Sequence, residues 1–169
     1  SISIGDSTLL EAIINLPFDS LSSVMWTGID SIGCANCLTQ IVAPIITTAY
    51  SVSVTSADGC ADRDSMTVFV NTDYKIYIPN IFSPNGDGVN DAVMISADES
   101  VREISSFSIF DRWGNLVHKE SHVSSGNHTG WDGKLNGKEC EIGVYVWMAE
   151  IRYLDDTTEF FKGDITLIK

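Results

Sequence analysis

Residues 143–153 read GVYVWMAEIRY and residues 159–168 read EFFKGDITLI, with LDDTT between them. The first run alternates at period two and shows no helical spacing, so it predicts a strand, with Tyr145 and Trp147 on one face as core candidates. Leu154–Thr158 reads as a hairpin turn, and Glu159–Lys162 and Asp164–Ile168 read as two further short strands. Lys75–Ile78, Ala92–Ile95, Ile104–Phe110 and Asn115–His118 have the same character. Asp111-Arg112-Trp113-Gly114 has the form of a hairpin turn, with Gly114 at the position that needs a positive φ. About seven short strands without a helical period predict a β-sandwich.

The preceding part repeats the pattern. Ser7–Ile13, Ser23–Trp26, Thr47–Val54 and Asp64–Val70 alternate apolar with small or polar residues, and Gly28–Asp30, Ala43-Pro44 and Ser56–Gly59 separate them as turns. With one Trp available for the centre, this set also predicts an immunoglobulin-like sandwich. Thr72–Tyr74 is a short polar joint. The fold class expected is all-β, with two Ig-like antiparallel β-sandwich domains in tandem over residues 1–73 and 74–169; a single long sandwich is the weaker option.

The 169 residues carry a net charge of −13, divided as −7 before Lys75 and −6 from Lys75 onward. Neither part offers the basic footprint that phosphate contacts need, so nucleic acid is not an expected partner. No window holds the roughly 18 consecutive apolar residues of a spanning helix, and the chain is expected not to span a membrane. Of the four cysteines, Cys34 and Cys37 lie in one loop, where Pro44 follows too closely for the helix of a redox motif; a structural disulfide there would imply an oxidising space. Cys60 and Cys140 are open as to pairing.

Residues 79–91, PNIFSPNGDGVND, admit two chemistries. Asn85, Asp87, Asn90 and Asp91 have the oxygen spacing of a calcium loop, although Ser83 stands where the first carboxylate of such a loop belongs and Met94 where the last does. The other reading is a rigid double turn, in which Pro84 fixes φ, Gly86 and Gly88 take positive φ, and the Asn and Asp side chains satisfy nearby amides. The missing end ligands favour the turn.

An enzyme needs a constellation of reactive groups. His118, His122 and His128 lie in or beside a Ser- and Gly-rich segment, 119–130, that reads as an exposed loop, and no nucleophile elbow or phosphate loop occurs. Catalytic residues are therefore none. Trp131 reads as closing the end of the sandwich, with Asp132-Gly133 turning the chain.

Residues 75–169 resemble the gliding-motility-associated C-terminal domain, the type B sorting domain of type IX secretion cargo. The resemblance rests on Ile78-Pro79-Asn80-Ile81-Phe82-Ser83-Pro84-Asn85-Gly86-Asp87-Gly88-Val89-Asn90-Asp91, then Phe107–Asn115 with Asp111, Arg112, Trp113 and Gly114. It continues through Trp131-Asp132-Gly133, Asn136-Gly137, Gly143-Val144-Tyr145 and Gly163–Lys169. Ile81 and Ala92 are small departures from that pattern. The first part is similar to the PKD-like or Ig-like repeats that precede such domains in large surface adhesins, through Met25–Thr27, Cys34–Cys37, Ala43-Pro44, Thr47–Tyr50 and Asp58–Cys60.

The resemblance implies a secretion signal in folded form, read by the outer-membrane type IX translocon and a PorP/SprF-like receptor. It further implies a cell-surface or secreted location reached through the periplasm, and a gliding adhesin as possible parent. The alternative from a different class is a calcium-dependent carbohydrate- or surface-binding module. Since a signal of this kind is read by a protein, exposed β edges and ordered loops are its expected docking surface.

Overall fold

A computed structural model describes residues 1–28, 36–127 and 129–169. The described chain is all-β, with two short 3-10 turns at Phe18–Ser20 and Ser125–Asn127. It divides into two compact units, Ser1–Asp73 and Tyr74–Lys169.

The N-terminal unit contains β1 (Ile2–Ser3), β2 (Thr8–Glu11), β3 (Leu21–Thr27), β4 (Thr39–Val42), β5 (Thr48–Ser56), β6 (Ala61–Val68) and β7 (Val70–Asn71). β2 pairs with β4, and β3, β5 and β6 form a second sheet in that order. These are the B–E and C–F–G pairings of an immunoglobulin-like sandwich. Leu10, Val24, Trp26, Val42, Tyr50 and Val68 fill the space between the sheets. Trp26, on the strand equivalent to C, donates its Nε1–H to the Cys37 carbonyl at 2.7 Å, which satisfies the one polar atom of a buried indole.

The C-terminal unit contains β8 (Ile76–Tyr77), β9 (Ile81–Phe82), β10 (Ser96–Ala97), β11 (Val101–Phe110), β12 (Leu116–Val123), β13 (Lys134–Leu135), β14 (Lys138–Glu139), β15 (Gly143–Tyr153) and β16 (Thr158–Leu167). Five strands form the main sheet in the order β12-β11-β15-β16-β9, and β8 pairs with β10. Val93 and Trp131 add an isolated antiparallel bridge. The core joins Phe82, Val93, Ile95 and Trp131 to the inward residues of the main sheet, among them Ile104, Phe107, Ile109, Tyr145, Ile151 and Ile165.

Several local expectations need correction. The sandwiches are not purely antiparallel, because β1 runs parallel to β7 and β9 parallel to β16. β16 is one strand through Gly163, not two. Ala92–Ile95 is no strand: Val93 makes only its bridge to Trp131, and regular pairing begins at Ser96. Thr39–Val42, for which the sequence predicts no strand, is β4, just before Pro44. The expected loop after His118 is a strand as far as Val123, placed on the sheet edge by its pairing with β11.

Candidate recognition surface

Segments far apart in sequence meet at one end of the C-terminal unit. Leu167 is paired with Gly143 on one side and with Phe82 on the other. The loop after β9, the start of β15 and the chain end therefore lie together. Phe110 pairs with Val146, which brings the Asp111–Gly114 turn to the same end. Ile168 N–H donates to the Phe82 carbonyl at 3.0 Å, and Lys169 Nζ stands 2.9 Å from Glu139 Oε2. Gly133, at φ +76°, packs where a Cβ would lie 3.1 Å from Pro84 Cγ and 3.4 Å from Leu167 Cδ1, so any side chain there would press on the Pro84 loop.

In the loop itself, Asp91 is the hub. Its Oδ1 accepts the Gly86 N–H at 2.7 Å and its Oδ2 the Gly88 N–H at 2.8 Å. Asn85 Oδ1 accepts the Asp87 N–H at 2.9 Å, and Asp87 Oδ1 the Val89 N–H at 2.8 Å. Asn90, at φ 54°, contributes its carbonyl to Ser83 N–H at 3.0 Å. The side-chain oxygens of Asn85, Asp87 and Asp91 proposed as calcium ligands are thus engaged with the loop's own amides, as consecutive Asx turns require, while Asn90 contributes its backbone carbonyl. Among the described residues no group of three or more His, Cys, Asp or Glu is placed to hold a metal ion.

Asp111 organises the neighbouring turn in the same way. Its Oδ1 accepts from Trp113 N–H and Asn115 N–H, each at 2.8 Å, and its Oδ2 from the Asn115 side chain at 2.8 Å. The Asn115 side-chain bond is the main reason the Asp111 carboxyl sits below its ordinary pKa. The turn presents Trp113 at 80% exposure. Arg112 lies with its guanidinium 5.9 Å from the centre of that indole, and pairs with Glu141 at 3.2 Å. A depression of about 570 Å³ separates this turn from residues 135–145.

Buried aromatics support the surface from below. Trp131 lies 5.3 Å from Phe82 and 4.8 Å from Tyr145 between ring centres, and donates its indole N–H to the Lys134 carbonyl at 3.0 Å. Asp132 Oδ1 accepts the Lys134 N–H at 3.1 Å, completing the turn expected at Asp132-Gly133. Tyr145 donates its hydroxyl to the Glu141 carbonyl at 2.7 Å, and burial pushes its pKa up. Burial likewise raises the pKa of the Cys140 thiol.

The histidines are placed differently. His118 Nε2 is 3.9 Å from Glu120 Oε1, while His122 Nδ1 is 3.8 Å from Glu103 Oε2; His128 lies outside the described residues. Cys37 is disulfide-bonded, its expected partner Cys34 lies outside the described residues, and Cys60 and Cys140 are free thiols. No described helix is long and apolar enough to cross a membrane.

The family model of the CHU_C type IX secretion signal domain matches residues 76–167. The chain belongs to this family. No curated protein matches it. Solved structures similar to it include the mixed-linkage glucan utilization locus protein SGBP-B of Bacteroides ovatus, in complex with a mixed-linkage heptasaccharide, at 14% identity and TM-score 0.38. That match covers 99% of this chain and 42% of that one, so the chain spans less than half of the protein it matches. The fibronectin(III)-like modules of Clostridium thermocellum CbhA match at 14% identity and TM-score 0.34, over 99% of this chain and 87% of theirs. Dimeric latent PorU of Porphyromonas gingivalis matches at 10% identity and TM-score 0.36, over 99% of this chain and 19% of that one.

A type IX secretion signal directs export across the outer membrane to the cell surface or the extracellular space, and it does so by interacting with the secretion machinery. In the signal domain the motif residues divide by burial. Phe82, Trp131 and Tyr145 are buried supports, while Asn85, Asp87, Arg112, Trp113 and Asp132 are exposed at the surface they support. Pro79, Asn80 and Pro84 lead the chain into the loop, and the Asn80 carbonyl accepts Thr166 N–H at 2.9 Å.

Sequence reasoning missed the partners Glu139 and Glu141. It also missed an apolar group on the outer face of the main sheet: Val144, Val146 and Met148 on β15, with Leu116 on the edge strand β12 and Ile81 on the opposite edge strand β9. A signal for this group was present, since GVYVWM is apolar on both faces of the strand, whereas a sheet with one solvated face should alternate with polar residues.

Proposed function

We propose that the end of the signal domain formed by residues 83–91, 111–115 and 132–145 is the surface that the secretion machinery reads. The observation that carries this reading is the convergence of the motif segments 82–91, 111–115, 131–137 and 143–145 with the chain end at one end of the unit, beside exposed Trp113 and the apolar group Val144, Val146 and Met148. Exposed apolar patches rimmed by polar groups mark protein contacts, and the Arg112–Glu141 pair and the Asx loops supply such a rim. Recognition then depends on the folded shape, since no single linear segment contains the surface.

The receptor in this proposal is a PorP/SprF-like outer-membrane protein, and the parent is a surface protein such as a gliding adhesin. Residues 1–73 act as an Ig-like repeat that spaces the signal, residues 74–169, from the cargo. The chain performs no catalysis. Export of a secreted reporter carrying Trp113→Ala or Val146→Lys tests the surface. Trp113 is 80% and Val146 47% exposed, and the new lysine would stand opposite Asp164, so stability should change by no more than about 1 kcal/mol while export falls. Undiminished export of both variants would remove this end from recognition.

A further inference from the structure

Each unit joins a strand near its start to a strand at its end in parallel. In the N-terminal unit, Ile2 N–H donates to the Phe69 carbonyl at 3.0 Å and Ile4 N–H to the Asn71 carbonyl at 2.9 Å. In the C-terminal unit, Thr166 N–H donates to the Asn80 carbonyl at 2.9 Å and Ile168 N–H to the Phe82 carbonyl at 3.0 Å. The other ladders of the described strands are antiparallel.

Parallel pairing decides how tension acts. The chain runs backward from the first strand of the pair toward its N-terminus and forward from the second toward its C-terminus. Pulling the ends apart therefore slides one strand along the other, and the bonds between them stretch together. In an antiparallel pair pulled from one end, the bonds open in succession, each bearing the load alone. Bonds that share a load fail at higher force than bonds that fail one by one, and forced unfolding follows the height of that barrier.

The path into the C-terminal unit has little slack. Tyr74 is fixed at the end away from Leu167, its ring 3.7 Å from that of Tyr153 and its hydroxyl donating to Asp155 at 2.6 Å. From there the chain reaches Asn80 through at most roughly 20 Å of extended backbone. A pull on Tyr74 passes through β8, with its short antiparallel pairing to β10, and then to β9.

We infer that the chain is a tension-bearing connector in which each unit is locked against end-to-end pulling by its parallel strand pair. For its load in the cell this rests on the reading above, that the machinery holds the motif end. The lock itself is a property of the isolated chain, so its failure would leave the recognition reading standing.

Single-molecule pulling of the full chain, tethered at both termini, tests it. Unfolding of the C-terminal unit is recognised by its longer released length. Ile168→Pro removes the N–H that bonds Phe82 and lies beyond the last β15–β16 pair, so the antiparallel ladder is kept. The force of that event should fall, with the N-terminal event unchanged. A second measurement leaves the strands as they are: a tether tag inserted after Asp156 replaces the C-terminal one, so that the C-terminal unit is pulled from the Tyr74 end alone. The pair is then peeled instead of sheared, and the event should move to lower force. Equal forces in the two pulling geometries, or an unchanged force in a folded Ile168→Pro variant, would overturn the inference.

Discussion

The indole of Trp147 lies across Gly163, its partner on the neighbouring strand. A Cβ at Gly163 would come within 2.7 Å of the ring carbon Cζ2. Both residues face the core side of the main sheet, where Trp147 packs against the buried cluster. The glycine leaves the space that the tryptophan fills. Gly163→Val should therefore cost about 1–3 kcal/mol through overpacking, seen as a lower Tm by circular dichroism. Combining it with Trp147→Ala should recover part of the loss, because the two positions share one volume.

The loop hub makes a separate prediction. Asp91→Ala leaves the Gly86 and Gly88 amides without their acceptor and should destabilise the C-terminal unit by about 1–2 kcal/mol, the lower range for a charged hydrogen-bonding group at a partly exposed site. Because the loop oxygens serve backbone amides, Tm should be the same in millimolar calcium and in chelator. A calcium-dependent rise in Tm would restore the metal reading of Asn85, Asp87, Asn90 and Asp91.

Acid should loosen this end of the unit. Asp111 is held below its ordinary value of 3.8 chiefly by the Asn115 side chain, and Glu139 below 4.5 chiefly by its hydrogen bond with Lys169. At the opposite end, burial pushes Asp155 up, but the hydrogen bonds from Tyr74 and Thr157 outweigh it and the net direction is down. A depressed folded pKa contributes stability above the unfolded value and loses it as pH falls through the folded one. The wild type should therefore lose stability below about pH 4, and the gap between it and Asp111→Asn should narrow across that range. Denaturant titrations at a series of pH values measure the gap.

The legible parts of the fold are those where burial alternates cleanly. β15 has the bounds its period predicts, and the turn at Asp111–Gly114 follows from its side-chain chemistry. β4 was hidden because its pattern is inverted: Gln40 and Val42 are buried while Ile41 is 74% exposed. The second half of β12, KESHV, is an edge strand with little apolar alternation, so composition made it look like a loop. Gly163 read as a break because a glycine shows no trace of the Trp147 that covers it. The individual motifs of the signal were visible in sequence; their meeting at one end was not, since it depends on the parallel β9–β16 pair and the register of β11, β15 and β16.

The central claim is that the folded C-terminal unit is sufficient as an address. Residues 74–169 fused to a periplasmic reporter should carry it to the cell surface or the medium in a strain with intact type IX secretion, and leave it in the periplasm where the translocon is deleted. A reporter that stays in the periplasm of the intact strain, or that leaves the cell without the translocon, would contradict the account.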